Sequence, residues 1–140
     1  MDRLLVDTNV LLDVIGRRVP FYGDSVRIWE LAERRQVEAL VSAISFNNVY
    51  YIARRLANHK TAMAAVEKIR KIFGTAPVAE GTIDAALGSA VRDFEDAIQY
   101  ACAKAAGARW LLSRNVSDYP RTGKPTAITP SGYLAKAKLG

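Results

Sequence analysis

Short apolar runs alternate along the chain with longer stretches in which apolar residues recur at helical spacing. Residues 3–7 (RLLVD) form a continuous apolar run closed by an acid, the pattern of a strand buried on both faces. Residues 9–16 read as a short helix with Thr8 or Asn9 as its cap. After Pro20, residues 22–35 set Val26, Trp29 and Ala32 three apart, a helical stripe. Residues 37–41 predict a second strand. Ser42 and Ser45 are cap candidates for the next helix, which runs to about Ala57 on a stripe of Phe46, Val49, Ala53 and Leu56. A further helix over 60–73 carries Ala62, Val66, Ile69 and Phe73, with Gly74 as its stop. Residues 77–79 are a weak strand candidate and 82–89 a short helix. Asp93 opens a helix that buries Ala97, Ile98, Ala101, Cys102 and Ala105 and ends at Gly107. Residues 108–112 form another apolar strand. Residues 114–125, with Pro120, Gly123 and Pro125, form a loop, 126–128 a last strand and 131–138 a terminal helix. Strands alternating with helices predict a three-layer α/β/α sandwich around a mainly parallel sheet of about five strands.

Composition narrows the chemistry. The chain has 140 residues, which suits one domain over 1–140. Its 20 Lys and Arg against 14 Asp and Glu give a net charge of +6, which permits a polyanionic partner. The single cysteine, Cys102, excludes an intrachain disulfide framework and a cysteine-cluster zinc site. The single histidine, His59, excludes a multi-histidine metal site within one chain. No apolar run approaches the ~20 residues of a membrane span, and Asp7 arrives too soon for a signal peptide. The expectation is a soluble, cytoplasmic protein from a reducing compartment with no membrane partner.

In parallel α/β sheets, ligands bind beyond the carboxyl ends of the strands. Asp7 closes the first strand and is followed by Thr8 and Asn9. Ser113, Arg114 and Asn115 close the strand over 108–112, with Asp118 three residues on. Asp93, Glu95 and Asp96 crowd one helix start, and Asn47 and Asn48 another. Converging acids repel and raise one another's pKa unless a cation neutralises them. Mg²⁺ and Mn²⁺ take oxygen ligands and need neither His nor Cys. Such an ion can activate water for in-line attack on a phosphodiester.

Each residue also has an ordinary structural reading. Asp7 can cap the helix after it, and the cap is favoured for Asp93. Asp118 can be a turn former. Cys102 belongs to a helix core, His59 to a solvated helix end, and Trp29 and Trp110 to packing. Other signatures are missing from the sequence. It has no G-x-G fingerprint, no P-loop and no G-x-S-x-G elbow. An Asp-x-Asp phosphatase motif fails at Asn9.

LLVDTNVLLDV at 4–14 resembles the opening motif of PIN-domain proteins. SAISFNNVYYIARR at 42–55 resembles their middle motif, and FEDAIQYACAKAAGARWLLSRNVSDYP at 94–120 their late one. The resemblance spans residues 4 to about 130. It implies a ribonuclease that uses Mg²⁺ or Mn²⁺, with Asp7, Asp96 and Asp118 as metal-holding catalytic acids. Asn115 competes with Asp118 for the last place. Thr8, Asn9, Asn48, Asp93, Ser113 and Asn115 would orient the acids or the substrate. The middle motif departs from the family pattern, because Asn48 stands where a Glu is usual and supplies no charge. Family members often serve as the toxin of a toxin–antitoxin pair, which implies RNA as substrate, an antitoxin protein as partner and a homodimer. Arg54, Arg55, Arg92, Arg114 and Arg121 are candidate phosphate contacts. Asn48 supports the alternative of a non-catalytic RNA-binding or regulatory module. A small phosphomonoesterase is a second rival.

Overall fold

In the computed structural model, which describes residues 1–137, the central strand is β1 (Arg3–Val6). Successive strand residues face opposite sides of a sheet. Leu4 and Val6 therefore enter one core and Leu5 the other, all fully buried. The neighbours follow suit. Ala39 and Val41 of β2 (Glu38–Ser42) and Trp110 and Leu112 of β4 (Trp110–Leu112) share the face of Leu4, whereas Leu40 and Leu111 share that of Leu5. With β3 (Gly74–Ala76) and β5 (Thr126–Ile128), the sheet has the order β3-β2-β1-β4-β5, and every neighbouring pair is parallel.

Helices cover both faces. On the Leu4 side lie α1 (Thr8–Ile15), α2 (Tyr22–Glu33), α3 (Ala43–Leu56), α4 (His59–Ile72) and α7 (Pro130–Ala137). They supply Val10, Leu11, Ile28, Trp29, Val49, Ile69 and Tyr133 to that core. On the other side, α5 (Glu80–Leu87) and α6 (Phe94–Ala105) supply Ala86, Ala97, Ile98, Ala101 and Cys102. This is the expected α/β/α architecture. Each fully buried Leu or Val contributes roughly 1.5–3 kcal/mol relative to exposure, so a polar residue tolerated at the sheet edge calls for a reason.

The strand order reverses direction between β1 and β4. From β1 the chain crosses to β2, whereas from β4 it crosses to β5 on the opposite side. A reversal of this kind opens a crevice at the carboxyl ends of the two central strands. Val6 pairs with Leu112, so β1 and β4 end level, and Asp7 and Ser113 emerge side by side.

Several local expectations are corrected. The third strand falls at Gly74–Ala76 rather than 77–79, and Gly74 begins it instead of stopping α4. A side chain at Gly74 would bring a Cβ within 2.7 Å of Leu40 Cδ2 on the paired strand, so the Leu40 side chain would have to shift. The cap of α1 is Asp7, not Thr8 or Asn9, and Ser42, not Ser45, caps α3. Leu56 and Ala105 are exposed, because each lies in the last turn of its helix beyond the reach of the core. Val66 is only half-buried, and its neighbour Ala65 takes the core position. Lys138, the end of the expected terminal helix, lies outside the described residues. Gly107 does end α6, at a φ of +71° that suits glycine. Its amide and that of Ala108 close back on Lys104 O and Ala103 O, the paired bonds of a Schellman stop. Cys102, Trp29 and Trp110 are buried, and His59 is exposed at the start of α4, as expected.

Candidate active site

Asp7 is only 1% exposed. A buried carboxylate is costly unless its oxygens meet donors. Oδ1 accepts the Thr8 amide at 2.7 Å, which caps α1. Oδ2 accepts the Ser113 hydroxyl at 2.8 Å and faces the Tyr119 hydroxyl at 3.3 Å. Ser113 reaches it because β1 and β4 end level. Its Oγ also accepts the Asn115 amide at 3.0 Å, which holds the loop after β4 against the site.

The Tyr119 hydroxyl lies 3.2 Å from Asp96 Oδ1 as well. It has one proton, so it donates to one acid at a time and stands between the two. Asp96 sits in the first turn of α6, and its amide donates to Asp93 Oδ1 at 3.0 Å. Asp93 is thus the cap of α6 and orients the turn that carries Asp96. Beneath the acids runs a buried polar network. Thr8 Oγ1 and Ser45 Oγ are 2.8 Å apart, and Gln99 Nε2 donates to both, at 3.3 and 2.9 Å. Three helices, α1, α3 and α6, are pinned together by it.

Burial is the main reason that the pKa of Asp7 is raised. The Ser113, Thr8 and Tyr119 hydrogen bonds pull it back, and the charge of Glu95 pushes it up. Asp96 is pushed up to about 6, first by burial, then by the charges of Asp7 and Asp93, against the Tyr119 hydrogen bond. Glu95 is raised by burial, Asp93 and Asp96, and lowered by the side chains of Asn48 and Thr8. Asn48 therefore faces Glu95, although its buried Nδ2 meets no described atom in hydrogen-bond geometry.

The structure brings Asp7 and Asp96 together, with Thr8, Ser113 and Asp93 in direct support. Asn48 joins through Glu95. Asn115 touches the site by its backbone, and Asn9 is half-buried in the first turn of α1. Asp118 is exposed at the end of the 3₁₀ turn Val116–Asp118. Its charge is the smallest of the acidic contributions acting on Asp96. Arg92, Asp93, Asp118 and Tyr119 line a cleft of about 520 Å³. A larger cleft, about 600 Å³, lies beside Glu38 and Gly74 and contains none of these acids.

Sequence reasoning set Glu95 among the acids at this helix start but gave it no role, and it missed two other participants. Tyr119 is a lone aromatic in a polar loop, a signal for an inward-turned residue. Gln99 lies one helical turn after Asp96, on the same face, beside apolar Ile98 and Cys102, so its amide had to be buried.

Among the described residues, no three His, Cys, Asp or Glu side chains close tightly enough on one point to cage an ion. The donor set nevertheless fits Mg²⁺ or Mn²⁺. Mg²⁺ keeps several waters and is usually held by one or two carboxylates plus substrate phosphate, not by an all-protein cage. The charge of Asp7 raises the pKa of Asp96 and that of Glu95 raises the pKa of Asp7, so the charges that act on the two acids are negative. A divalent cation would relieve that repulsion.

Comparison with known proteins agrees with the fold. The PIN-domain family profile matches residues 3–117, and the chain belongs to that family. It is 24% identical over 123 residues to Ribonuclease VapC1 of Aquifex aeolicus (strain VF5), covering 84% of this chain and 85% of that protein. A toxin–antitoxin complex from Klebsiella pneumoniae contains a chain of the same fold, with a TM-score of 0.68 and 21% identity over 91% of this chain and 97% of that one. VapC20 of Mycobacterium tuberculosis, described as a Sarcin-Ricin loop cleaving toxin, superposes with a TM-score of 0.63 and 19% identity over 77% of this chain and 86% of that one. No helix among the described residues is long and apolar enough to cross a membrane.

Proposed function

We propose that the protein is a divalent-metal-dependent endoribonuclease that acts as the toxin of a toxin–antitoxin pair. The observation that carries this reading is the acid pair Asp7–Tyr119–Asp96 at the reversal point of a PIN-domain sheet. Asp7 and Asp96 would hold Mg²⁺ or Mn²⁺, with Asp118 at the rim reaching the ion through water. When bound, the cation supplies positive charge against the phosphate and acidifies water for attack on phosphorus.

The chain's own residues prepare for this. Ser113 and the Thr8 amide fix the Asp7 carboxylate, so that it does not reorganise when charge arrives. Asp93 sets the turn that presents Asp96. The Tyr119 hydroxyl spans the two acids and donates its hydrogen bond to whichever carries more charge. Glu95, facing Asn48, adds a carboxylate on the side where the middle motif lacks one. The reading includes RNA as substrate, an antitoxin partner, a homodimer and a place in the cytoplasm. The similarity to a chain from a toxin–antitoxin complex supports the antitoxin.

The test is cleavage of RNA with Mn²⁺, with excess chelator, and by the Asp7→Asn variant. Cleavage should need the metal and vanish in the variant. Chelator-resistant cleavage, or full activity of Asp7→Asn, contradicts the reading. The neutral amide of Asn48 favours one alternative, a module that binds RNA without cutting it. It predicts RNA binding with no turnover in either metal.

A further inference from the structure

Ser113 turns its hydroxyl to Asp7, while the next residue, Arg114, faces the opposite side of the edge. Its guanidinium lies 4.3 Å from the centre of the Phe21 ring. Its Nε is 3.0 Å from Asp13 Oδ2, and Arg18 Nη1 is 4.0 Å from Asp13 Oδ1. Two arginines face the one carboxylate of Asp13, and Asp24 stands on the wall of the same corner, so its formal charges balance. Phe21 is 40% exposed.

Phe21 and Arg114 wall a cavity of about 290 Å³ with Asp24, Ser25, Thr129 and Ser131. Ser25 is fully buried, and its hydroxyl meets no partner among the described residues. A buried hydroxyl beside a cavity is unfavourable until a water or a ligand atom meets it. The cavity thus offers a ring with one face covered by the Arg114 guanidinium, that guanidinium itself, an unpaired hydroxyl and one acidic acceptor, and Arg114 follows Ser113, which touches Asp7. An aromatic face with an arginine beside it is the chemistry that holds single-stranded nucleic acid. Every base has a π-face to stack, and guanidinium meets phosphate.

We propose that this cavity is a nucleotide subsite, in which one base of a single-stranded RNA stacks on Phe21 and an adjoining phosphate meets Arg114. The proposal rests on the ribonuclease reading and adds a place for the strand outside the acid pair. Removing Arg114 would strand the buried Asp13, so Phe21 is the clean position to vary. Phe21→Leu keeps an apolar cover over Arg114 without a ring, and Phe21→Trp keeps a ring.

The experiment measures binding of a labelled oligoadenylate to the full-length protein in chelator, where nothing is cut. Melting curves confirm that each variant is folded. Phe21→Leu should bind about fivefold to a hundredfold more weakly, the range of one lost base–aromatic stack. Phe21→Trp should bind as the wild type or better. Equal binding by all three proteins overturns the subsite, as does a loss in both variants. A cavity that accepts a protein segment instead gives that same equal binding. A wild type that neither binds nor cleaves RNA defeats the ribonuclease reading as well, whereas wild-type cleavage unaffected by Phe21→Leu defeats the subsite alone.

Discussion

Asp7 and Asp13 are buried acids at the start and in the body of one helix, and their surroundings differ in sign. Burial raises the pKa of both. Around Asp13 the charges are cationic, and Arg114 and then Arg18 bring its pKa back down. Arg114 lies 3.0 Å away, yet neither Asp13 oxygen sits in hydrogen-bond geometry, so the pair is held by charge rather than by directed bonds. Around Asp7 the donors are neutral, and the nearby charges belong to Glu95 and Asp96. One acid is neutralised within the chain and ties the loop after β4 to α1. The other is left with an unmet demand for positive charge. Burial alone does not distinguish a structural acid from a functional one; the sign of the neighbours does.

The largest expected effect follows from that contrast. Asp13→Asn leaves two arginines without their buried partner and should cost about 3 kcal/mol in chemical denaturation. That is the low end for a broken buried pair, because Arg114 keeps part of its side chain in water. Asp7→Asn removes a repelled charge and keeps an oxygen to accept from Thr8. It should leave stability within about 1 kcal/mol of wild type or raise it. Equal losses in both variants would break the comparison.

A smaller effect sharpens it. Asp96 is raised from 3.8 to about 6 in the folded chain. A group that binds its proton more tightly when folded makes the metal-free protein most stable below its unfolded pKa. That contribution is lost as pH rises from about 4 through about 6. Asp96→Asn should remove this fall. It should also stabilise the chelated protein at neutral pH by about 1 kcal/mol, a figure reduced for solvent screening of a half-buried group. Melting curves across this pH window in chelator check it. A wild-type profile that rises between pH 4 and 6 as steeply as the variant's contradicts the assignment.

Much of this was legible in the residues. A run such as RLLVD, apolar throughout and ended by an acid, has few homes other than a central strand with its acid at the edge. The helix starts at Asp93 and Ser42 follow from capping chemistry. β3 escaped because three residues, one of them Gly74, carry too little pattern to mark a strand. The site was half legible. Asp7 stands out because it closes a strand and caps the next helix, and Asp96 because it lies in the first turn of a helix. Tyr119 and Gln99 escaped because their roles depend on which loop folds over which helix, and no local period records that. Asp118 shows the converse: its spacing after the strand suggested an acid drawn into the site, but the 3₁₀ turn leaves it exposed at the rim.

The central claim is that the unpaired acids Asp7 and Asp96 form a cation site, and calorimetric titration of Mn²⁺ into the wild type and Asp7→Asn at neutral pH tests it most directly. The account predicts saturable binding by the wild type, weakened about tenfold or more in the variant, since ligand charge tunes the affinity of hard cations. Indistinguishable titrations of the two proteins, or a wild type that takes up no Mn²⁺, would contradict it.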